Sequence, residues 1–160
     1  MTRQIEDLID VDGEQRLLRG WPLEEYWRTS RKTKPEFPPI STNCFRGYRA
    51  VWFIDEGRLF LKSVGAGAEH FDNPSGGMTI TRFIYEYLPS LFPDQEEPIF
   101  GAWVSGEFYT ETTDKTKAEM LLFKKGILKS RQPCKPFDPY LEHRKRMAEI
   151  MKDMDRRQLH

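Results

Sequence analysis

The side chains that most often carry out catalysis are few in this sequence and far apart. The histidines are His70, His143 and His160, and the cysteines are Cys44 and Cys134. A nucleophilic hydrolase needs a serine or cysteine within reach of a base, but neither cysteine has a histidine nearby in sequence, and no GxSxG motif occurs. The spacings typical of zinc ligands, CxxC, HxxxH and HExxH, are also absent. The sequence therefore predicts no catalytic residue, no metal site and no cofactor.

A glycine-rich stretch and one carboxylate are the remaining candidates for small-molecule chemistry. Residues 65–78, GAGAEHFDNPSGGM, match neither GxGxxG nor GxxxxGK[ST], so we expect a mobile loop rather than a phosphate cradle. Glu107 lies in the aromatic segment WVSGEFY. An inward carboxylate beside Trp103 and Tyr109 would have a raised pKa, whereas the alternative, which we favour, is an outward-facing strand residue.

A group of basic and aromatic residues opens the segment RGYRAVWFIDEGRLFLKSV. Arg46, Tyr48 and Arg49 precede Trp52, and this composition is similar to platforms that stack single-stranded nucleic acids. Alternate residues of the same segment are apolar, which favours a core position for Trp52. Whether Arg46, Tyr48 and Arg49 face solvent together stays open at the level of sequence.

The charge balance argues against nucleic acid as a general partner. Lys plus Arg and Asp plus Glu each number 25, so the formal net charge is zero, whereas nucleic-acid binders neutralise phosphates with a basic surface. No apolar run has the length of a membrane span, and the N-terminus lacks the apolar region of a secretory signal. We expect no membrane partner, a cytoplasmic location and two free thiols, with a disulfide as the alternative.

The elements that must position these residues are mostly strands. Asp12-Gly13 predicts a hairpin of Ile5–Val11 with Gln15–Leu18, and Pro22 favours a short helix near 22–30. Strands near 47–54 and 58–64 meet at Glu56-Gly57, where glutamate disfavours positive φ and a type I turn with a glycine bulge is expected. Two further strands meet at a Lys-Gly turn within AEMLLFKKGILKS.

The C-terminal segment has the clearest helical pattern. Asp138 and Pro139 suit its start, and apolar residues follow at helical spacing. We expect this helix to dock on the sheet through Tyr140, Met147, Ile150 and Met154. The fold class is then α+β in one domain, residues 1–160: a mainly antiparallel sheet of about six to eight strands, strongly twisted or barrel-like, with a short N-terminal and a long C-terminal helix.

Four ordered segments carry a resemblance. They are GWPLEEYW, STNCFRGYRAVWFIDEGRLFLKSV, LFPDQEEPIFGAWVSGEF and LLFKKGILKS. Together they resemble a group of uncharacterised small bacterial proteins with an RGYxAxWxIxxxxLyL-like hairpin and a later LFP…AxWxSG segment. The resemblance implies no activity and assigns no catalytic residue.

The leading functional hypothesis is a non-enzymatic protein that binds another protein, specifically an immunity-type inhibitor of a bacterial toxin. Charged surface residues would provide fast and specific association. The alternatives are a small-ligand-binding protein or enzyme with a pocket between the sheet and the C-terminal helix, and a homodimeric scaffold. The candidate binding residues are Arg46, Tyr48, Arg49, Asp55, Glu56, Asp94, Glu96, Glu97 and Glu107.

Overall fold

The computed structural model describes residues 5–37, 46–72, 79–136 and 141–158. Within these ranges the chain is α+β, as predicted, with nine strands and three helices. The elements are β1 (Asp7–Val11), β2 (Glu14–Leu18), α1 (Pro22–Thr29), β3 (Tyr48–Asp55), β4 (Arg58–Asp72), β5 (Thr79–Glu86), α2 (Leu88–Leu91), β6 (Ile99–Phe100), β7 (Gly106–Thr112), β8 (Ala118–Lys124), β9 (Ile127–Cys134) and α3 (Leu141–Gln158).

Seven of the strands close into a barrel in the order β3-β1-β2-β7-β8-β9-β4 and back to β3. The pairings are antiparallel except that of β1 with β3, which is parallel and pairs Leu8 with Val51 and Asp10 with Phe53. The last contact, between β9 and β4, joins Ile127 to Arg58. Closure pairs the strand edges that an open sheet would leave exposed. The sequence predicted a sheet that is strongly twisted or barrel-like, and the structure confirms this prediction with a closed barrel.

The long strand β4 holds three further strands along one edge. β3 pairs with one side of β4, while β9, β6 and β5 follow one another along the other side. The mobile loop predicted from residue 65 is therefore wrong for residues 65–72, which continue β4; residues 73–78 lie outside the described residues. Gly65 reflects close packing, because an added Cβ would lie 2.8 Å from the Cβ of Phe83.

Three hairpins have turns of the same composition, a polar residue followed by glycine. Glu56 and Gly57 have φ values of 48° and 75°, so the turn is a two-residue type I′ turn between paired Asp55 and Arg58. The predicted type I turn with a glycine bulge is wrong. The twist of a type I′ turn matches the twist of the two strands, which outweighs the cost of positive φ at Glu56. The irregularity in register lies instead between Val51 and Trp52.

The barrel interior forms one apolar core that α1 helps to cover. Trp52, Leu61 and Leu121 are fully buried, and Leu23 of α1 joins the same cluster. Pro22 occupies the first turn of α1, where its missing N–H costs nothing, and its carbonyl accepts a hydrogen bond of 2.9 Å from Trp103 Nε1. The core position favoured for Trp52 is confirmed.

The helix α3 is the element that departs most from expectation. Its side chains from 143 to 157 are exposed, including those of Met147, Ile150 and Met154. The predicted docking of this helix on the sheet is therefore wrong for these residues, and Tyr140 lies outside the described residues, as do Asp138 and Pro139. Helical periodicity identifies an apolar face, but it does not determine what covers that face.

Candidate functional site

A buried ion pair lies where β1 meets β3. Asp7 is 0% exposed, and its Oδ1 accepts hydrogen bonds from Arg46 Nη2 at 2.6 Å and from the Ala50 amide at 3.1 Å. Its Oδ2 accepts a hydrogen bond of 3.2 Å from Trp52 Nε1. Burial raises the pKa of the Asp7 carboxyl, while the Arg46 cation acts in the opposite direction. The two oxygens of this carboxylate therefore link β1 to β3 and to the segment that precedes β3.

The polar network continues from this pair to the edge of the core. Arg46 also donates to the Ile5 carbonyl at 2.9 Å, and its guanidinium lies 4.8 Å from the ring centroid of Tyr48. The Tyr48 hydroxyl donates to Glu24 at 2.9 Å, and Lys34 donates to the same Glu24 oxygen at 2.8 Å. Burial, and then the charges of Asp7 and Glu24, raise the pKa of Tyr48, which keeps its hydroxyl protonated as a donor.

The three residues of the basic and aromatic segment do not form one solvent-facing group. Tyr48 is fully buried and the Arg46 side chain is 7% exposed. Arg49 alternates to the other face of β3, where its Nε donates to the Glu6 carbonyl at 3.0 Å. Glu107 is exposed on β7, so the structure places it outside the network that contains Arg46 and Tyr48.

A second ion cluster joins β2, β8 and β9 to the β1–β2 turn. Glu119 accepts a hydrogen bond from Arg16 at 2.6 Å and two from Arg131, at 2.9 Å and 2.7 Å. Arg131 also donates to Asp12 at 2.7 Å. These hydrogen bonds, that from Arg131 foremost, lower the pKa of Glu119 from 4.5 to about 2. The cluster links strands that are more than a hundred residues apart in sequence.

An open groove of about 720 Å³ runs along the exterior of the barrel where β1, β3 and β4 adjoin. Its lining includes three carboxylates, Asp10, Asp55 and Glu97, together with Lys62. Phe53 contributes an aromatic ring that stacks on Phe60 with centroids 5.3 Å apart. The groove thus combines a half-buried apolar surface with an exposed and mostly acidic rim.

The groove brings together acidic residues predicted from two separate segments of the sequence. Asp55 lies at the end of β3 and Glu97 in the connection from α2 to β6, and both are exposed. Glu56 is exposed in the turn beside Asp55, and Asp94 and Glu96 are exposed in the connection that carries Glu97.

A smaller groove of about 310 Å³ adjoins the first one and shares Val51 with it. Arg49, Ser63 and Glu86 supply its polar groups, and Phe83 and Tyr85 of β5 also line it. Arg49 therefore lines an exterior groove, unlike the buried Tyr48.

Most of the groove residues were not predicted as binding residues, among them Asp10, Phe53 and Lys62. Their outward orientation follows from strand alternation, because Phe53 alternates with the buried Trp52 and Lys62 with the buried Leu61. The signal that was missing is the parallel pairing of β1 with β3, which places Asp10 beside Phe53. This pairing joins residues 43 positions apart and leaves no local pattern in the sequence.

Among the described residues, no group of three or more His, Cys, Asp and Glu side chains is arranged to hold a metal ion. Cys134 is exposed and carries a free thiol, and the slight desolvation of its sulfur, together with the negative charges of Glu119 and Glu111, raises the pKa of this thiol. Cys44 lies outside the described residues, so the predicted state of its thiol stays a prediction. The described helices include none with the length and apolar character needed to cross a membrane.

The groove and the two ion clusters are thus the features from which a function can be argued. Comparison with known proteins adds no further constraint, because no family model, no curated protein and no solved structure matches the chain.

Proposed function

We propose that this chain binds another protein through the exterior groove of about 720 Å³, and that the partner is a toxin domain which the chain neutralises. The observation that carries the proposal is the meeting of Asp10, Asp55 and Glu97 around the half-buried ring of Phe53. Protein interfaces commonly combine an aromatic centre with a polar and charged rim. The groove therefore offers the composition of an interface.

The charge of the rim supports a partner with a basic surface. The chain as a whole has a formal net charge of zero, so the three carboxylates form a local negative patch rather than part of a uniformly acidic surface. Such a patch attracts a basic surface and raises the rate of encounter with it. Toxins that act on nucleic acids carry a basic active site, and an acidic inhibitor blocks such a site by occupying it.

The test uses the full chain and the product of the adjacent gene. Expression of that product alone should arrest growth, and coexpression of this chain should restore it. The double variant Asp55→Lys/Glu97→Lys should lose the rescue and weaken binding in calorimetry by at least ~100-fold, with a smaller salt dependence. Glu107→Lys is the matched control, because Glu107 is exposed on β7 and does not line the groove. A harmless neighbour, or unchanged binding by the double variant, would contradict the proposal.

The groove's volume also favours a second candidate, a small-ligand-binding protein. Pockets for small molecules commonly have volumes of ~300–1,000 Å³, with an apolar lining and a few polar groups that fix orientation. Here Asp10, Gln15 and Lys62 would supply those groups. A cationic small molecule that raises the melting temperature of the wild type, and not of Asp55→Lys/Glu97→Lys, would support this candidate over a protein partner.

A further inference from the structure

The smaller exterior groove, of about 310 Å³, contains an aromatic side chain that is left largely exposed. Leu8, Val51 and Phe83 are half-buried in the lining of this groove, whereas Tyr85 is 61% exposed. Among the side chains that the structure describes outside α3, Tyr85 is the only large apolar one that is so strongly exposed. Tyrosines next to half-buried apolar side chains are typical anchors of protein interfaces.

The polar groups of this groove already have partners within the chain. Ser63 Oγ donates to Glu86 Oε2 at 2.6 Å, and the Val64 amide donates to Glu86 Oε1 at 3.0 Å. Arg49 Nε donates to the Glu6 carbonyl at 3.0 Å. A small polar ligand needs a few polar groups that fix its orientation. Because these groups are engaged within the chain, the groove is better suited to an apolar side chain of a protein partner.

The two adjoining grooves differ in charge. The larger groove is lined by three carboxylates and one lysine, so negative charge predominates there, whereas Arg49 and Glu86 of the smaller groove balance each other. Both grooves are lined by Val51, so a single partner surface spans them. Charged residues mainly set the rate at which two proteins associate, while well-packed apolar contacts mainly slow their dissociation.

We propose that the smaller groove receives an apolar side chain of the same toxin domain whose basic surface meets the acidic rim, and that Tyr85 selects this partner. The inference rests on the proposed function and names the partner's chemistry more closely, as a basic surface flanked by a protruding apolar side chain. The acidic rim attracts basic surfaces of many kinds. Contact with Tyr85 and Phe83 then distinguishes the correct partner from the others, because it prolongs only that complex.

Binding kinetics of the full chain with the product of the adjacent gene separate the roles of the two grooves. Tyr85→Ala should weaken binding by about 30-fold, mainly through faster dissociation, and should leave the salt dependence of association unchanged. Tyr85→Phe keeps the ring and should bind like the wild type. Asp55→Lys/Glu97→Lys should instead slow association. Met151→Ala is the matched control, because Met151 is 63% exposed and lines neither groove.

Thermal melting of each variant without the partner shows whether Tyr85 has a role within its own chain. Faster dissociation of Tyr85→Ala, with an unchanged melting temperature and unchanged binding by Met151→Ala, supports the inference. A melting temperature that Tyr85→Ala lowers by ~4 °C or more overturns it, since Tyr85 would then pack within the chain. If Tyr85→Ala binds like the wild type while Asp55→Lys/Glu97→Lys binds weakly, this inference fails and the proposed function stands. A neighbouring product that does not bind the wild type overturns both.

Discussion

Removal of the buried carboxylate of Asp7 should be among the most destabilising substitutions in this protein. Asp7 is 0% exposed and accepts three hydrogen bonds, while its partner Arg46 has a side chain only 7% exposed. Asp7→Ala leaves this guanidinium buried without its counter-charge, which typically costs about 3–5 kcal/mol. The Ile5 carbonyl and the Tyr48 ring still stabilise Arg46, so we expect a loss of about 4 kcal/mol.

The amide variant separates the charge from the shape of the side chain. In Asp7→Asn, an amide oxygen at the Oδ1 position keeps the hydrogen bonds from Arg46 and Ala50, but the NH₂ group then faces Trp52 Nε1, another donor. We expect a loss of about 2–3 kcal/mol. Asp10→Asn lies on the same strand at an exposed position, keeps the acceptor for the Gly13 amide, and should change stability by less than about 0.5 kcal/mol.

Urea unfolding followed by circular dichroism gives these free energies. Losses of this size are a large fraction of the ~5–15 kcal/mol that stabilises a typical domain. The double variant Asp7→Asn/Arg46→Met removes both charges, so its loss should be smaller than the sum of the two single losses. An Asp7→Ala variant that loses less than about 1 kcal/mol, or a double variant whose loss is fully additive, would refute the assignment of a coupled buried pair.

Two further predictions concern the rest of the barrel. Because Glu119 has a pKa of about 2 in the folded chain and 4.5 ordinarily, its ion cluster should stabilise the fold above pH ~5 and lose this contribution as the pH falls toward 2. The Arg131 side chain is 34% exposed, which reduces the contribution of the cluster to about 1–2 kcal/mol. In urea unfolding, Glu119→Gln should therefore lower the free energy of unfolding at pH 6 and change it little at pH 2. An equal loss of stability at the two pH values would contradict this cause. Gly126→Ala should lower the melting temperature more than Gly13→Ala, although both glycines have a φ of 79°. The new Cβ at 126 would lie 2.6 Å from the Gly101 carbonyl oxygen, whereas that at 13 meets nothing within 4 Å. Equal losses of stability would mean that backbone strain alone determines both.

Local patterns predicted the pieces of this fold well. Asp12-Gly13, Glu56-Gly57 and the Lys-Gly turn at 125–126 each join adjacent strands, and Pro22 begins α1. These features follow from the backbone preferences of glycine and proline, which act over a few residues. Strand alternation likewise identified Trp52 as a core residue. Predictions failed where a choice depended on a distant partner: Gly65 was read as part of a loop, and its close contact with Phe83 of β5 was not foreseen.

The candidate site depended still more on distant contacts. The sequence marked Asp55 and Glu97 as acidic surface residues, but only the pairing of β1 with β3, and of β6 with β4, places them with Asp10 around one groove. It also grouped Arg46 with Arg49, which the tertiary structure separates.

The sequence by itself determined most of the element types, the type of residue at each turn and the apolar face of α3, because these depend on backbone preference and on periodicity. Only the tertiary structure decided that seven strands close on themselves, that Arg46 is buried beside Asp7, and that the barrel leaves Met147, Ile150, Met151 and Met154 uncovered. The physical reason is that burial and charge pairing are properties of the space between elements, and that space is set by contacts between residues far apart in the chain.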